Sequence, residues 1–397
     1  MGGRPLAGGE ARLRPSLPRS AAPPARPPAA PPQLPHCPPP ATRPCTCDRT
    51  PLIERYRTRQ IERETMTLKI GLVGAGGVAK RNYAPSLAAE EDVELGYFSR
   101  TAAKAEELAG EFGGRVFASL QELVAWAPDS VFVLTREMER RQVLADLLEL
   151  NPKRLFCEKP LVAQHGQEDV REEDFFAARE LLQEAQRRGC ETAMIFNYRF
   201  FDHPLRAKEI IAERDFGRVT NISGMVHYAC WSHAIDLVHH FAGPIAELTA
   251  LQSHKVHGER MAARDVSAAF RTVADGTGTL IGTANLAWEF PLFELIFNFE
   301  RGRIHFRDLD GDMEVLDGQS GRHEVYAIPR DRSRWDQYDA SFGKSIVAYL
   351  HALRNGEVPP VPGVAGLREL QVEAAIKRSI AQCGPVDLAA ELPLDLD

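Results

Sequence analysis

Four short stretches of this 397-residue sequence carry side chains whose types and spacing could do chemistry. Gly74-Ala75-Gly76-Gly77-Val78-Ala79 has the G-x-G-x-x-A spacing of a turn that holds a dinucleotide pyrophosphate. Gly74 suits the tight turn, Gly76 lacks the Cβ that would block the phosphates, and Ala79 is small enough for close helix packing. Ser99, Arg100 and Lys104 offer a hydroxyl and two cations. Glu158-Lys159-Pro160 places a lysine beside a carboxylate, and a lysine next to a substrate oxygen can polarise a carbonyl or stabilise an alkoxide. His233 and Asp236 lie three residues apart, on one face of any helix that contains them.

The surrounding elements must position these groups. Leu68–Val73 reads as a short buried strand, and a helix through Ser86–Ala89 follows the glycine turn, so the fingerprint stands in the strand–turn–helix setting it requires. Strands at Val93–Phe98, Val116–Phe117, Ser130–Leu134 and Arg154–Cys157 alternate with helices at Ala102–Phe112, Leu120–Trp126 and Glu139–Leu150. That alternation predicts a doubly wound parallel sheet, an N-terminal Rossmann domain over residues 66–197. The pyrophosphate would sit on a helix N-terminus, where free N–H groups and the helix dipole favour an anion. Ser99, Arg100 and Lys104 follow the second strand, where NAD enzymes place a carboxylate for the ribose 2′-OH. Cations there suit a 2′-phosphate, so NADP is expected, with NAD the lesser expectation. Lys159 ends the fifth strand and faces the crevice where open α/β sheets bind ligands.

Taken in order with the glycine turn, the Glu158-Lys159-Pro160 triplet resembles that of the glucose–fructose oxidoreductase, inositol dehydrogenase and MocA (Gfo/Idh/MocA) family. The resemblance runs from Met66 onward and includes Asn197-Tyr198-Arg199-Phe200, Gly217-Arg218-Val219 and the closing helix Gly366–Cys383 followed by Val386. It implies that Lys159 bonds the reacting oxygen and that Glu158 helps to bind cofactor. Leu134, Thr135 and Asn197 are expected beside the cofactor, with the glycine turn from Gly74 to Ala79. The family pattern D-x-x-x-H-x-x-D implies that His233 is an acid/base group, with Asp236 at the last position. Its first aspartate is absent here, because Ala229 stands in that place. Arg136 and Arg140 also replace the family's proline and histidine after the fourth strand.

Residues 198–397 are expected to form the family's second domain, an α+β unit with a large, mostly antiparallel, open-faced sheet. Strands are predicted at Val219–Tyr228, Leu248–His254, Val266–Val273, Thr279–Leu286, Phe293–Phe299 and Gly302–Phe306. An uncovered sheet face points to a homodimer or homotetramer. The implied activity is hydride transfer between nicotinamide and a hydroxyl or keto carbon of a sugar, polyol or similar molecule. Reduction of a C=N bond and a non-catalytic NADP-binding sensor or accessory role are the alternatives.

Composition narrows the partners. Residues 1–65 hold 15 of the 28 prolines, with eleven arginines and five acids, leaving a net charge near −13 on the remainder. Such a Pro/Arg/Ala segment is expected to be disordered, and Met66 could be the natural start. An organelle transit peptide and a partner-binding tail are the competing readings. The acidic remainder argues against nucleic acid and anionic membranes. Cys157, Cys190, Cys230 and Cys383 show no disulfide framework, so a cytoplasmic setting is expected. His227, Cys230 and His233 have H-x₂-C-x₂-H spacing, but a strand-to-helix junction tends to scatter such ligands, and no metal is expected.

Overall fold

The computed structural model describes residues 67–258, 261–308, 310–329 and 331–396. The expectations for residues 1–65 lie outside them.

The first sheet contains β1 (Leu68–Val73), β2 (Val93–Phe98), β3 (Arg115–Val116), β4 (Ser130–Val133), β5 (Arg154–Cys157) and β6 (Glu191–Met194). Its order is β3-β2-β1-β4-β5-β6, with every pairing parallel. β1 and β4 are apolar at nearly every position because a parallel sheet is covered on both faces. The crossover helices are α1 (Ala84–Ala88), α2 (Ala102–Phe112), α3 (Leu120–Ala125), α4 (Glu137–Glu149) and α5 (Glu172–Arg187). Ser119 caps α3, its Oγ accepting from Glu122 N at 3.1 Å. A π-helical turn, Ala79–Tyr83, leads into α1.

A 3₁₀ turn at Asn197–Phe200 and α6 (Asp202–Glu213) lead to the second sheet. It holds β7 (Val219–His227), β8 (Ile245–His257), β9 (Ala263–Thr272), β10 (Thr277–Thr283), β11 (Phe293–Phe299), β12 (Gly302–Arg307), β13 (Met313–Asp317), β14 (Arg322–Tyr326) and β15 (Val386–Asp387). The order is β14-β13-β12-β11-β7-β10-β9-β8-β15, and only β7 and β10 pair in parallel. Strict alternation along β9 and β10 buries one face under helices and leaves the other exposed. α7 (Trp231–Ala242) and α9 (Val364–Gln382) lie on the buried side and pack on each other, and a short α10 (Leu388–Glu391) follows β15.

α8 (Arg334–Asn355) returns from the second half of the chain to the first sheet. Its Phe342, Ile346, Tyr349 and Leu350 join one apolar cluster with Ile70, Leu72, Tyr83, Phe132 and Phe156. Tyr349 and Ser130 share a buried hydroxyl–hydroxyl bond of 2.8 Å. Helices α5 and α6 and strands β6, β13 and β14 are not among the expected elements. β6 spans four residues and β13 and β14 five each, too short for periodicity to announce them as strands.

Candidate active site

β1 turns at Gly74, whose N–H donates to Phe98 O at 2.9 Å. With φ at +102°, Gly74 occupies a conformation that favours glycine, and a Cβ would lie 2.9 Å from Leu134 C and Thr135 N. The turn therefore closes directly on the end of β4. At Gly76 a Cβ would meet nothing within 4 Å. Gly76, Gly77 and Val78 are exposed and Ala79 is fully buried, so the loop presents bare backbone to solvent while the helix packs down behind it. This shape fits a pyrophosphate, as the spacing of the residues implies. At the end of β2, Ser99 Oγ accepts from Thr101 N at 3.3 Å. Arg100 and Lys104 are exposed, and Arg100 pairs with Glu139 of α4. A carboxylate thus stands near this corner after all, contributed by another helix.

The loop beyond β5 is tightly organised. Arg140, buried on α4, donates to three carbonyl oxygens, Thr135 O at 2.6 Å, Glu158 O at 2.7 Å and Pro160 O. One guanidinium fork thereby ties the ends of β4 and β5 together. The Lys159–Pro160 peptide is cis. Glu158 accepts from Tyr83 OH at 2.7 Å and from the backbone N–H of Lys159 at 2.9 Å. Tyr83 reaches it from the π-helical turn, and burial together with the Glu158 charge raises its phenol well above the usual range. Tyr83 is therefore a permanent donor. Glu158 does not pair with the Lys159 ammonium; its two oxygens are taken by these N–H and O–H groups. Lys159 Nζ, half-buried, donates to Gln167 Oε1 at 3.1 Å.

α7 brings His233 toward Lys159. The imidazole is 1% exposed, stacks on the Tyr198 ring at 3.8 Å and meets Phe196 edge-on at 6.0 Å. Burial and the Lys159 charge hold its pKa well below the ordinary histidine value, so the ring is neutral. Its Nδ1 finds no hydrogen-bond partner. Asp236 does not orient it. Arg199 takes both carboxylate oxygens, Nε to Oδ2 at 2.7 Å and Nη2 to Oδ1 at 2.5 Å. A shared helical face is not contact: Asp236 does not bond His233, and the guanidinium fork is the better partner for a buried carboxylate. Asn197 Nδ2 donates to Ser341 Oγ of α8 at 2.8 Å, so this amide links the two halves of the chain. Thr135 Oγ1 is buried without a partner at the end of β4.

The histidine–cysteine cluster does not converge. His227 Nδ1 accepts from Ala229 N at 3.1 Å, Cys230 Sγ lies 3.2 Å from Tyr198 OH, and His233 stacks on that same tyrosine. Among the described residues no group of three or more His, Cys, Asp or Glu side chains could hold a metal ion. No helix among them is long and apolar enough to cross a membrane. Tyr83, Arg140 and two buried glutamates of α9, Glu369 and Glu373, were not foreseen from the sequence. Arg140 was noticed only as a departure from a pattern.

Comparison with known proteins agrees with this architecture. The Gfo/Idh/MocA model, described as an oxidoreductase family with an NAD-binding Rossmann fold, matches residues 68–196. Glucose-6-phosphate 3-dehydrogenase of Bacillus subtilis (strain 168) is 27% identical over 161 residues, 40% of this chain and 42% of that enzyme. The match thus spans less than half the length of the curated relative. A crystal structure of an NAD binding oxidoreductase from Klebsiella pneumoniae superposes with a TM-score of 0.69 at 17% identity, covering 81% of this chain and 99% of that one. A UDP-N-acetylglucosamine 3-dehydrogenase from Acidithiobacillus ferrooxidans gives 0.63 at 18% identity, covering 79% and 98%. At these identities the superpositions speak for a shared fold.

Proposed function

We infer that this chain, whose residues 68–196 match the Gfo/Idh/MocA oxidoreductase model with its NAD-binding Rossmann fold, transfers hydride between a nicotinamide and a hydroxyl or keto carbon of a sugar-like small molecule. The observation that carries this reading is the placement of Lys159. It stands half-buried at the carboxyl end of β5, in a loop that Arg140 ties to the end of β4, which in turn abuts the glycine turn of β1. That is where a nicotinamide bound across the sheet would meet its substrate. The glucose-6-phosphate 3-dehydrogenase and UDP-sugar dehydrogenase relatives support a sugar hydroxyl as the reacting group.

A nicotinamide, when bound, supplies the hydride acceptor or donor. Gly74, Gly76 and Gly77 would hold its pyrophosphate, and Thr135 Oγ1 has an unfilled bond to offer beside it. Lys159 would donate to the substrate oxygen and stabilise negative charge as it develops there. His233, uncharged and stacked on Tyr198, would present an imidazole nitrogen to the same substrate.

Between the cofactors we favour NADP. Arg100 and Lys104 supply positive charge at the 2′ corner, and no carboxylate ends β2. Glu139 opposes this preference by holding Arg100, so NAD binding is expected as well. The exposed face of the second sheet carries Met225, Ile281 and Leu251, and we propose that a second copy of the chain covers it.

The test is a nicotinamide-binding titration followed by steady-state assay of polyols, sugars, sugar phosphates and cyclic imines with NAD and NADP. Reduction of either cofactor by a hydroxylated substrate supports the reading. Turnover of imines alone, or tight cofactor binding without turnover, would replace it with one of the two alternatives.

A further inference from the structure

A lysine side chain is a point charge on a flexible four-carbon stem, so its backbone alone does not fix where the ammonium stands. The segment after Pro160 supplies what does. Leu161, Val162 and Ala163 are buried in the apolar core, and residues 164–171 then form a compact loop before α5. Fully buried Asp174, in the first turn of α5, fastens both ends of that loop, accepting from Gln164 N and Arg171 N at 2.9 Å each. Gly166, with φ at +90°, donates to Ala163 O and accepts from Asp169 N, both at 3.1 Å. Asp169 accepts from Arg171 Nη2 at 2.7 Å and from Lys377 Nζ of α9 at 3.3 Å. The loop is thus tied at both ends, within its turns and on its flank.

Gln167 stands at its tip, and its Oε1 accepts from Lys159 Nζ at 3.1 Å. Among the described residues this is the ammonium's one hydrogen bond, because Glu158 is engaged by Tyr83 OH and the Lys159 N–H. The next two side chains of the loop, Glu168 and Asp169, are acids, yet the neutral amide is the one that meets the ammonium. We propose that Gln167 is a positioning residue for the reaction: its amide oxygen holds the Lys159 ammonium in the crevice and, being uncharged, leaves the whole positive charge to the substrate oxygen. This deepens the oxidoreductase reading and rests on it.

The physical reason lies in the difference between an amide and a carboxylate. An ammonium has three N–H donors, and Gln167 takes one of them, which leaves two for a substrate. A carboxylate in the same place would form an ion pair, hold the proton on the amine and compete with the developing alkoxide for its charge. The other groups that feel the Lys159 charge do not compete in this way. Burial raises the Glu369 carboxyl of α9 well above the carboxylate range, His233 of α7 is a neutral imidazole, and burial pushes the Cys230 thiol of the 3₁₀ turn Tyr228–Cys230 up to about 11.

Two measurements decide the matter. The first is trace acetylation of the full chain with acetic anhydride across a pH series, reading Lys159 by peptide mass spectrometry. Gln167→Glu should move its labelling midpoint to higher pH by about one unit or more, the effect of an adjacent opposite charge. Gln167→Met, which removes the acceptor, should move it to lower pH. Both variants should melt with the wild type, since the one hydrogen bond of the Gln167 side chain is to Lys159. A midpoint indifferent to both substitutions overturns the proposal, and so does a melting temperature lowered alike in both, which would mark a purely structural residue. The second is the pH profile of kcat/KM with the best hydroxylated substrate of the panel. Gln167→Met should lower kcat about tenfold or more with cofactor Kd unchanged. Gln167→Glu should displace the limb set by Lys159 to higher pH, and Gln167→Met should displace it to lower pH. Wild-type kcat and limb in Gln167→Met overturn the proposal. Absence of any hydroxyl oxidation by the wild type would sink the underlying oxidoreductase reading instead, and the acetylation series would still decide whether Gln167 holds Lys159.

Discussion

Asp236 and Arg199 form a two-pronged ion pair in the interior, Arg199 Nε and Nη2 donating at 2.7 and 2.5 Å to the two carboxylate oxygens. The pair joins the 3₁₀ turn at the end of the Rossmann domain to α7, the helix that carries His233. Burial pushes the Asp236 pKa up and Arg199 pulls it back, so the Asp236 charge depends on Arg199. Arg199→Met should destabilise the fold by about 3 kcal/mol or more, since it leaves a buried carboxylate unpaired. The double variant Arg199→Met, Asp236→Leu should recover most of that loss. Urea unfolding of the three proteins measures this, and a single variant as stable as the wild type would show the pair to be dispensable.

Lys159 should matter more to turnover than His233. Lys159→Ala should lower kcat about a hundredfold or more with cofactor affinity nearly intact, the range of a positioned acid/base group. His233→Ala should cost less, because no carboxylate fixes its tautomer and its charge is suppressed by burial and by Lys159. Equal losses in the two variants would count against this order.

Arg140 should prove structural for the active loop. Arg140→Met leaves the carbonyls of Thr135, Glu158 and Pro160 without their buried donor. At about 1–3 kcal/mol for each unsatisfied group, a melting temperature lower by several degrees is expected, with KM for cofactor raised. Unchanged melting would mean that water replaces the guanidinium.

Cofactor choice should respond to both members of the Arg100–Glu139 pair. Arg100→Asp should weaken NADP binding about tenfold or more, replacing a charge-assisted bond with repulsion. Glu139→Gln should tighten NADP binding and leave NAD nearly unchanged. Fluorescence titration of both cofactors checks this, and a wild type that binds the two equally would remove the basis for the NADP preference.

Glu373 should make stability fall as pH rises from about 4.5 to about 7. Its folded pKa lies above its unfolded value, so across that window the native state binds more protons than the unfolded chain. The contribution is complete below the unfolded pKa and lost as pH rises through the folded one. Glu373→Gln should flatten the slope of unfolding free energy across the window. A slope unaltered by the substitution would place the penalty on another group.

Much of this protein was legible in its residues. The glycine turn from Gly74 to Ala79 between a buried strand and a helix, and the alternation that follows, determined a parallel doubly wound sheet because local sterics and short-range periodicity decide such units. Lys159 at a strand end was equally readable, since strand direction alone aims its position at the crevice. Partners between distant segments were not. That Asp236 binds Arg199 and not His233, that Tyr83 and the Lys159 amide take Glu158, and that Glu139 holds Arg100 follow from how packed helices meet. Glu369 is the clearest case. Only the burial of α9 between β6 and α7 makes it a carboxyl with no hydrogen-bond partner. Sequence spacing fixes which side chains share a face of one element, whereas burial and charge partners are properties of the space between elements, which tertiary packing alone creates.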